Sequence, residues 1–553
     1  MDKHKTNIQL IQNHAVSKKM LKNRAEAFQF TALLALAVAL LIPRLDGLDY
    51  FPGKYLWAED GNIFINEAES LGIPSLWRPY NGYLHIYPRL VSIVANYFHL
   101  DMRPTILILG WLIAYLFLFA VLIRRASSLG VGLFSLIFLV ILVSLQPHYG
   151  ENFFNITNSQ WMLGSGLSVL VLTSVDESFH ISASRFILLL LLGLTGPFSI
   201  ILIPILVLKA FFAKDVKKNL WIYLTLLVCA TVQLSILLNS GRATSGTINA
   251  QAWDWVTSFF QILLFGTNNP GEKVAAISFW VLILILMVDK RGEVTQEVST
   301  ARILPFFFLL TAILFIIASQ YSHKENPMLM TAPGGGNRYT WIPYTLIFFS
   351  AILLSKDKRL IRFFLFAFGS MICYKNFHHV SSPNLQFKSF ANFAKYENLM
   401  IPIHPQWPKF PGWYIDGIAS GQYSLEHISQ FNIKQDNMSV IGAQSNLSLT
   451  ELEIESKTND PILILRDKVI CNKASDIALK IDITRSIEGW MQIFWDKDGN
   501  FSEPNSLKRY YPAGLVQAQF AFPYNPEGIY IRLDPLDVPG KAKISQVTAY
   551  CLP

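Results

Sequence analysis

Charged residues are scarce in this sequence. They make up 15% of 553 residues, against 52% hydrophobic and 13% aromatic residues, whereas an ordinary soluble domain carries roughly 25% charged residues. Such a chain cannot cover its apolar residues with polar surface, which excludes a wholly soluble protein. The apolar residues run in long blocks as far as Cys373 and then give way to mixed, polar sequence. We therefore predict a membrane domain followed by a soluble one.

Cysteine is equally rare, with four residues in the whole chain. Cys229 and Cys373 lie in apolar segments, whereas Cys471 and Cys551 lie in the C-terminal part. The second pair could form a disulfide if that part is extracytoplasmic, and two unpaired buried thiols are the alternative. Other signatures are incomplete: the glycine run before Asn337 lacks the Lys-Ser/Thr of a nucleotide-binding loop. The adjacent His378 and His379 have the wrong spacing for a zinc pair on a helix.

The net charge of +8 resides in short basic clusters between apolar blocks. This pattern is typical of cytoplasmic loops under the positive-inside rule and argues against nucleic-acid binding. The basic leader predicts a cytoplasmic N-terminus, and the first apolar run, Phe30 to Ile42, is interpreted as a retained helix because no small-residue cleavage site follows it. One apolar helix follows the basic cluster Lys356 to Arg362, so the C-terminal part is predicted to lie outside the membrane, on the periplasmic face of a bacterial inner membrane.

The predicted fold is a polytopic α-helical membrane protein, with about 10 to 12 membrane helices, some short or re-entrant, and a C-terminal extracytoplasmic β-sandwich. Leu90 to Leu100 and the pair of segments broken at Thr195-Gly196-Pro197 are too short to span alone. The predicted domains are a membrane domain, residues 1–374, with a large outer loop, residues 44–88; an interfacial connector, residues 375–416; and the sandwich, residues 417–553. Short alternating runs between turns such as Asp498-Gly499 indicate the antiparallel sandwich.

The first outer loop contains the adjacent carboxylates Glu59 and Asp60 before a predicted amphipathic helix, Gly61 to Leu71. A carboxylate at a membrane surface can act as a general base toward a hydroxyl, and arginines farther along can hold a phosphate leaving group. The alternative is that Asp60 caps the helix. The basic and aromatic residues that follow are candidates for phosphate and sugar contacts: Arg78, Tyr80, His85 and Arg89.

Two further outer segments carry candidate ligands. The first, residues 148–161, offers amide and aromatic groups suited to sugar hydroxyls and faces, namely Asn155, Asn158, Gln160 and Trp161. Its alternative role is a polar turn with an interfacial tryptophan. In the second, Arg338 follows a glycine run at the start of a membrane helix, which suits a lipid phosphate. An arginine that merely extends to water is the alternative.

These strings together resemble the GT-C superfamily of membrane glycosyltransferases. They are most similar to the serotype-converting O-antigen glucosyltransferases of bacteria and their phages. The motifs are Ala58-Glu-Asp-Gly61, Tyr80-Asn-Gly-Tyr-Leu-His-Ile-Tyr-Pro-Arg89, Asn155-Ile-Thr-Asn-Ser-Gln-Trp161 and Gly336-Asn-Arg-Tyr339. The resemblance covers the membrane half of the chain.

The resemblance implies an inverting transfer of a hexose, probably glucose, from a polyprenyl-phosphate donor to O-antigen or a related surface polysaccharide. Glu59 or Asp60 would be the base, and Arg78, Arg89 and Arg338 would hold the phosphate. No cofactor is required and a divalent metal is optional, because the phosphate leaves without protonation. The alternative function is a transporter or flippase of lipid-linked sugars, which would place polar residues along a path inside the helices. A membrane acyltransferase is less favoured, because the only histidine in the apolar segments, His99, ends a short one.

Overall fold

The computed structural model describes residues 24–44, 56–147, 151–174, 183–240, 257, 260–261, 263–266, 269–289, 299–322, 336–375, 384–419, 423–447, 451–457 and 460–553. Within these ranges, five helices are long and apolar enough to cross a membrane: Arg24–Arg44, Leu100–Ser128, Val216–Asn239, Pro270–Val288 and Ile303–Ser322. Shorter apolar helices lie between them. The chain is thus a multi-pass membrane protein, as the apolar blocks predict.

The helices follow one another along the chain with short connections. They are α1 (Arg24–Arg44), α2 (Asn66–Leu71), α3 (Ile86–Asn96), α4 (Arg103–Ser128), α5 (Leu133–Ser144), α6 (Ser159–Leu172), α7 (Ala183–Gly193), α8 (Phe198–Ala213), α9 (Val216–Asn239), α10 (Pro270–Asp289), α11 (Ser299–Ser322), α12 (Trp341–Ser355), α13 (Arg359–Lys375) and α14 (Phe387–Phe393). A single turn, Leu263–Phe265, precedes α10. The apolar stretch from residue 186 to 212 is interrupted, because α7 ends at Gly193 and α8 begins at Phe198.

Helix α3 covers most of the segment Leu90 to Leu100, whose span was left open by the sequence. It contains 11 residues, whereas a crossing needs about 20. One face is buried, including Arg89 and Ile93, while Leu90 and Val94 on the other face are 41% and 45% exposed. An amphipathic helix of this length suits the membrane interface rather than a crossing.

The chain divides into two compact units. The first comprises residues 1–45, 76–88 and 109–379, and the second comprises residues 46–75, 89–108 and 380–553. The second unit therefore contains most of the predicted outer loop, residues 44–88, in addition to the C-terminal part. This differs from the predicted division at residue 374. The reason is local: Ala58 and His404 pair through their backbones, as do His404 and Leu56.

The C-terminal part is an antiparallel β-sandwich, which confirms the predicted fold class. One sheet has the strand order β10-β9-β12-β7-β4 and the other β11-β8-β13-β6-β5, with β3 pairing with β13. The strands are β3 (Gln430–Asn432), β4 (Met438–Ile441), β5 (Gln444–Leu447), β6 (Leu452–Ser456), β7 (Ile462–Leu465), β8 (Asp476–Arg485), β9 (Gly489–Asp496), β10 (Ser506–Tyr511), β11 (Gly514–Pro523), β12 (Tyr530–Asp534) and β13 (Gly540–Leu552).

The alternating pattern of the sequence matches the burial of the central strand β8. Ile477, Leu479, Ile481 and Ile483 are all buried, which places successive odd-numbered side chains on the core face. The predicted turn after β9 is also present, with Gly499 at a φ of +82°. Such a φ favours glycine, because it has no Cβ.

The segment predicted as an irregular connector, residues 375–416, contains regular structure. It holds α14 and the antiparallel strands β1 (Leu399–Pro402) and β2 (Tyr414–Gly417). The buried Asp476 fixes α14 to the sandwich, because its carboxylate accepts hydrogen bonds from Ser389 at 2.6 Å and Asn392 at 3.0 Å. Polar contacts of this kind are invisible in a composition that reads as aromatic and proline-rich.

The sulfur atoms of Cys471 and Cys551 form a disulfide that joins residues 80 positions apart. Closing a loop of that length stabilises the folded sandwich by roughly 4 kcal/mol in the chain-entropy account. We expect thiol titration of the denatured, unreduced protein to find only Cys229 and Cys373 free. Titration of all four cysteines would contradict the pairing.

Candidate functional site

The predicted site residues are divided between the two units. Glu59, Asp60 and Arg89 belong to the second unit, and the remaining candidates belong to the first. Those in the first unit are Arg78, Tyr80, His85, Asn155, Asn158, Gln160, Trp161 and Arg338.

The carboxylate pair lies in a helical segment rather than at its edge. A π-helical turn runs over Asp60–Ile65 and continues directly into α2. Glu59 precedes this turn without a side-chain capping hydrogen bond, and Asp60 lies within it. The interpretation of Asp60 as a helix cap is therefore not supported. Asp60 is only 2% exposed, and π-helical turns are frequent at functional sites.

The segment that carries the carboxylates is fixed to strands β1 and β2 of the same unit. Asn62 donates a hydrogen bond from its side-chain amide to the carbonyl oxygen of Tyr414 at 3.2 Å. The backbone N–H of Asp416 donates to the side-chain oxygen of Asn66 at 3.0 Å. Burial, followed by the nearby charge of Glu69, raises the pKa of Asp416. The position of Glu59 and Asp60 thus depends on contacts with residues more than 300 positions away.

Gly61, directly after the pair, permits this close packing. A Cβ at this position would lie 2.6 Å from Cδ1 of Ile403 and 3.4 Å from Cβ of Ile415. We expect Gly61→Ala to destabilise the protein by about 1 to 3 kcal/mol through overpacking, measured as a lower midpoint of thermal unfolding.

Two variants control for this effect. Ile403→Val removes the Cδ1 atom, so the double variant Gly61→Ala/Ile403→Val should recover most of the lost stability. Gly271→Ala in α10 meets no heavy atom within 4 Å and should be neutral or slightly stabilising. Equal effects of the two alanine substitutions would refute the packing account.

Arg89, a predicted phosphate ligand, lies in a buried ion pair. Its Nη1 atom is 2.6 Å from the carboxylate of Glu67, and Arg89 is 1% exposed. The guanidinium also lies over the ring of Phe64, 5.2 Å from its centroid. Arg103 similarly pairs with Glu69 at 2.9 Å. These glutamates of α2, which the sequence analysis did not single out, anchor α3 and the start of α4, so Arg89 has a structural role whether or not it contacts a donor.

In the first unit, residues 80–87 form a tight turn and a short extended segment. Tyr80 and Tyr83 pair through their backbones around Asn81 and Gly82, both at positive φ. This is the conformation that Asn-Gly favours in a two-residue turn. His85 is buried, with Nε2 3.2 Å from the carbonyl oxygen of Tyr80. Arg78, just before the turn, is exposed.

The helix break between α7 and α8 holds this segment. The backbone N–H of Gly196 donates to the carbonyl of Leu84 at 2.9 Å, and the N–H of Tyr87 donates to the hydroxyl of Thr195 at 3.1 Å. The amide of Gln233 on α9 bonds both backbone groups of Leu84, at 2.8 and 3.3 Å. Thus Thr195-Gly196-Pro197 does more than end a helix, because its free backbone groups position the Tyr80–Tyr87 segment.

The second predicted ligand segment uses much of its hydrogen-bonding capacity internally. The amide nitrogens of Asn155 and Asn158 both donate to the carbonyl oxygen of Glu151 at 2.6 Å. The indole of Trp161 donates to the side-chain oxygen of Asn158 at 3.2 Å. These contacts favour the polar-turn interpretation for the two asparagines. Gln160 is different: it is buried, and its Oε1 atom has no hydrogen-bond partner among the described residues.

Two of the predicted outer motifs meet within the first unit. The guanidinium of Arg338 is 3.0 Å from the carboxylate of Glu151, and the side chain of Glu151 is 3% exposed against 26% for Arg338. The rings of Trp161 and Tyr339 pack edge to face, 4.9 Å apart. The segments that contain Asn155 and Arg338 therefore form one polar and aromatic cluster. Among the described residues, no group of three His, Cys, Asp or Glu side chains could hold a metal ion.

Comparison with known proteins concerns the sandwich. No protein-family model and no curated protein matches the chain. The C-terminal sandwich is similar to a family 35 carbohydrate-binding module from Clostridium thermocellum, with 11% identity and a TM-score of 0.19 over 22% of this chain and 97% of that one. It is also similar to the second N-terminal cellulose-binding domain of a β-1,4-glucanase from Cellulomonas fimi, with 12% identity and a TM-score of 0.18 over 23% of this chain and 93% of that one. At these scores the similarity assigns neither a ligand nor an activity.

Proposed function

We propose that this protein is a membrane glycosyltransferase of the GT-C type. It would transfer a hexose, glucose in our proposal, from a polyprenyl-phosphate donor to O-antigen or a related surface polysaccharide on the periplasmic face. The observation that carries the proposal is the buried Asp60, held on a π-helical turn without serving as its cap. Burying a carboxylate is costly, and ionisable groups in such positions are enriched at functional sites.

The proposed reaction needs one base and one anion-binding group. The acceptor hydroxyl attacks the anomeric carbon from the face opposite the phosphate, and its proton passes to Asp60 or Glu59. The bond between the anomeric carbon and the phosphate oxygen breaks, which inverts the anomeric configuration and releases polyprenyl phosphate. A carboxylate base contributes roughly 10²- to 10⁴-fold to such a step.

Arg338 is our candidate for the phosphate ligand. Its side chain remains 26% exposed while its position is fixed by Glu151, and guanidinium groups suit phosphate oxygens. Arg78 is exposed and is a second candidate, whereas the buried Arg89 is the weakest of the three. Tyr80, His85, Gln160 and Trp161 stay candidates for sugar contacts.

The transporter alternative gains little support from the described residues. The most buried cation of the membrane helices away from these motifs, Lys209, pairs with Asp215 at 3.1 Å. It also donates to the carbonyl oxygens of Val171 and Ser174 at 2.9 and 2.8 Å. Lys209 lies in the last turns of α8 and Asp215 precedes α9, so this cluster joins helix ends rather than lining a path through their middle.

Comparing the polysaccharide of the host with and without this gene tests the proposed function. The proposal predicts that one hexose branch disappears when the gene is deleted, and that a plasmid copy restores it. An unchanged polysaccharide would contradict the activity.

The proposed topology places the sandwich outside the cytoplasm. We expect a membrane-impermeant thiol reagent to label Ser502→Cys, an exposed position before β10, in intact spheroplasts. Asp357→Cys, exposed in the basic loop before α13, should react only after lysis because this loop is cytoplasmic. The reverse pattern would overturn the periplasmic site.

A further inference from the structure

A cavity of about 540 Å³ lies among α4, α6, α7 and α9 of the first unit. Its wall is largely apolar, including Phe117, Val121, Leu170, Val171, Leu189 and Ile222. Three arginines, Arg124, Arg125 and Arg185, also line it, together with Ser128. The described residues that line the cavity include no acidic side chain. It therefore combines an apolar wall with a concentration of positive charge.

The arginines lie at helix ends. Arg124 and Arg125 are in the last turns of α4, and Arg185 is in the first turn of α7. The guanidinium of Arg124 lies over the ring of Phe30, 4.7 Å from its centroid, a cation–π contact that favours one orientation of the side chain. Lys356 lies close to the same end of α4, because its ammonium donates to the carbonyl oxygen of Leu129 at 3.2 Å. The positive charge is thus concentrated where α4 leaves the apolar layer.

The surface beside the cavity is apolar. Ile187 on α7 is 63% exposed, and Trp221 on α9 is 42% exposed. In a membrane-spanning bundle, side chains exposed in this way face lipid rather than water. A ligand that enters from this side has an apolar chain, and a ligand that satisfies the arginines has an anionic head.

We propose that this cavity binds an anionic glycerophospholipid, with an acyl chain against the apolar wall and the phosphate among Arg124, Arg125 and Arg185. Basic pockets between membrane helices recognise lipid head groups through the same combination. The site is separate from the outer motifs, and it does not depend on the proposed transferase activity.

Binding of phosphatidylglycerol to the detergent-solubilised full-length protein, measured by native mass spectrometry, tests the proposal. Phosphatidylcholine with the same acyl chains is the neutral reference. Replacing all three arginines with glutamine should weaken phosphatidylglycerol binding by roughly 100-fold, at about fivefold per arginine, and should leave phosphatidylcholine binding unchanged. The matched control is Lys358→Gln/Arg359→Gln/Arg362→Gln, which removes the same charge from the basic loop and should retain binding.

A second variant covers the case in which the triple substitution prevents insertion. Ala120→Phe fills the cavity and leaves the arginines in place, so it should also weaken phosphatidylglycerol binding. Equal binding of the two lipids by the unaltered protein would overturn the proposal, as would equal losses in the triple variant and its control. Arginine-dependent binding of polyprenyl phosphate without binding of phosphatidylglycerol would show that the occupant is the wrong lipid.

Discussion

Asp60→Asn is expected to lower sugar transfer by roughly 10²- to 10⁴-fold, because a carboxamide cannot accept the proton of the acceptor hydroxyl. Glu59→Gln is the companion variant, and the larger loss identifies the base. Donor binding should persist in both, since the carboxylates act on the acceptor. The measurement is the initial rate of transfer by protein inserted at normal levels, together with donor affinity. The two effects separate a catalytic carboxylate from one that only supports the fold.

The matched control for this pair is Glu69→Gln in the following helix. It removes a carboxylate of the same unit that pairs with Arg103 at the surface of α2, and a partly exposed pair contributes about 1 kcal/mol or less. Near-normal transfer is expected. If Asp60→Asn and Glu59→Gln both keep near-full activity, the segment is structural and the proposed base is wrong.

Arg338→Met should reduce both stability and donor affinity. It takes the ion-pair partner from a carboxylate that is only 3% exposed, that of Glu151. Removing one partner of a buried pair costs about 3 to 5 kcal/mol. If Arg338 also holds the donor phosphate, the KM for the lipid donor rises in addition.

The double variant Glu151→Gln/Arg338→Met separates these two effects. Removing both charges together should recover much of the stability, because no uncompensated carboxylate is left buried. Donor affinity should remain low if the arginine binds phosphate. Recovery of both the unfolding midpoint and the donor KM would show that Arg338 serves only to neutralise Glu151.

The sequence predicted those parts of the fold that depend on local periodicity. Apolar blocks identify the membrane helices, and alternation identifies strands such as β8, because burial on one face imposes a period of two. The break at Thr195-Gly196-Pro197 was likewise visible, since proline and glycine interrupt helices. These signals are local and need no knowledge of distant residues.

The organisation of the candidate site was much less predictable. Gly61 packs on Ile403, and Glu67 neutralises Arg89, and no periodic pattern links residues so far apart. Two glutamates in a short amphipathic helix read as a solvated face until the structure places the arginines of α3 and α4 beside them. The amides of Asn155 and Asn158 also looked available for sugars, because a sequence cannot show that a turn uses its own donors.

The most direct test of the proposed function uses the purified protein in sealed vesicles with a polyprenyl-phosphate hexose and an acceptor polysaccharide. A transferase converts the donor to free polyprenyl phosphate in amounts equal to the hexose added to the acceptor, and Asp60→Asn abolishes both products together. Movement of the intact lipid-linked sugar across the bilayer, with no release of polyprenyl phosphate and no modified acceptor, would contradict the account and favour a flippase.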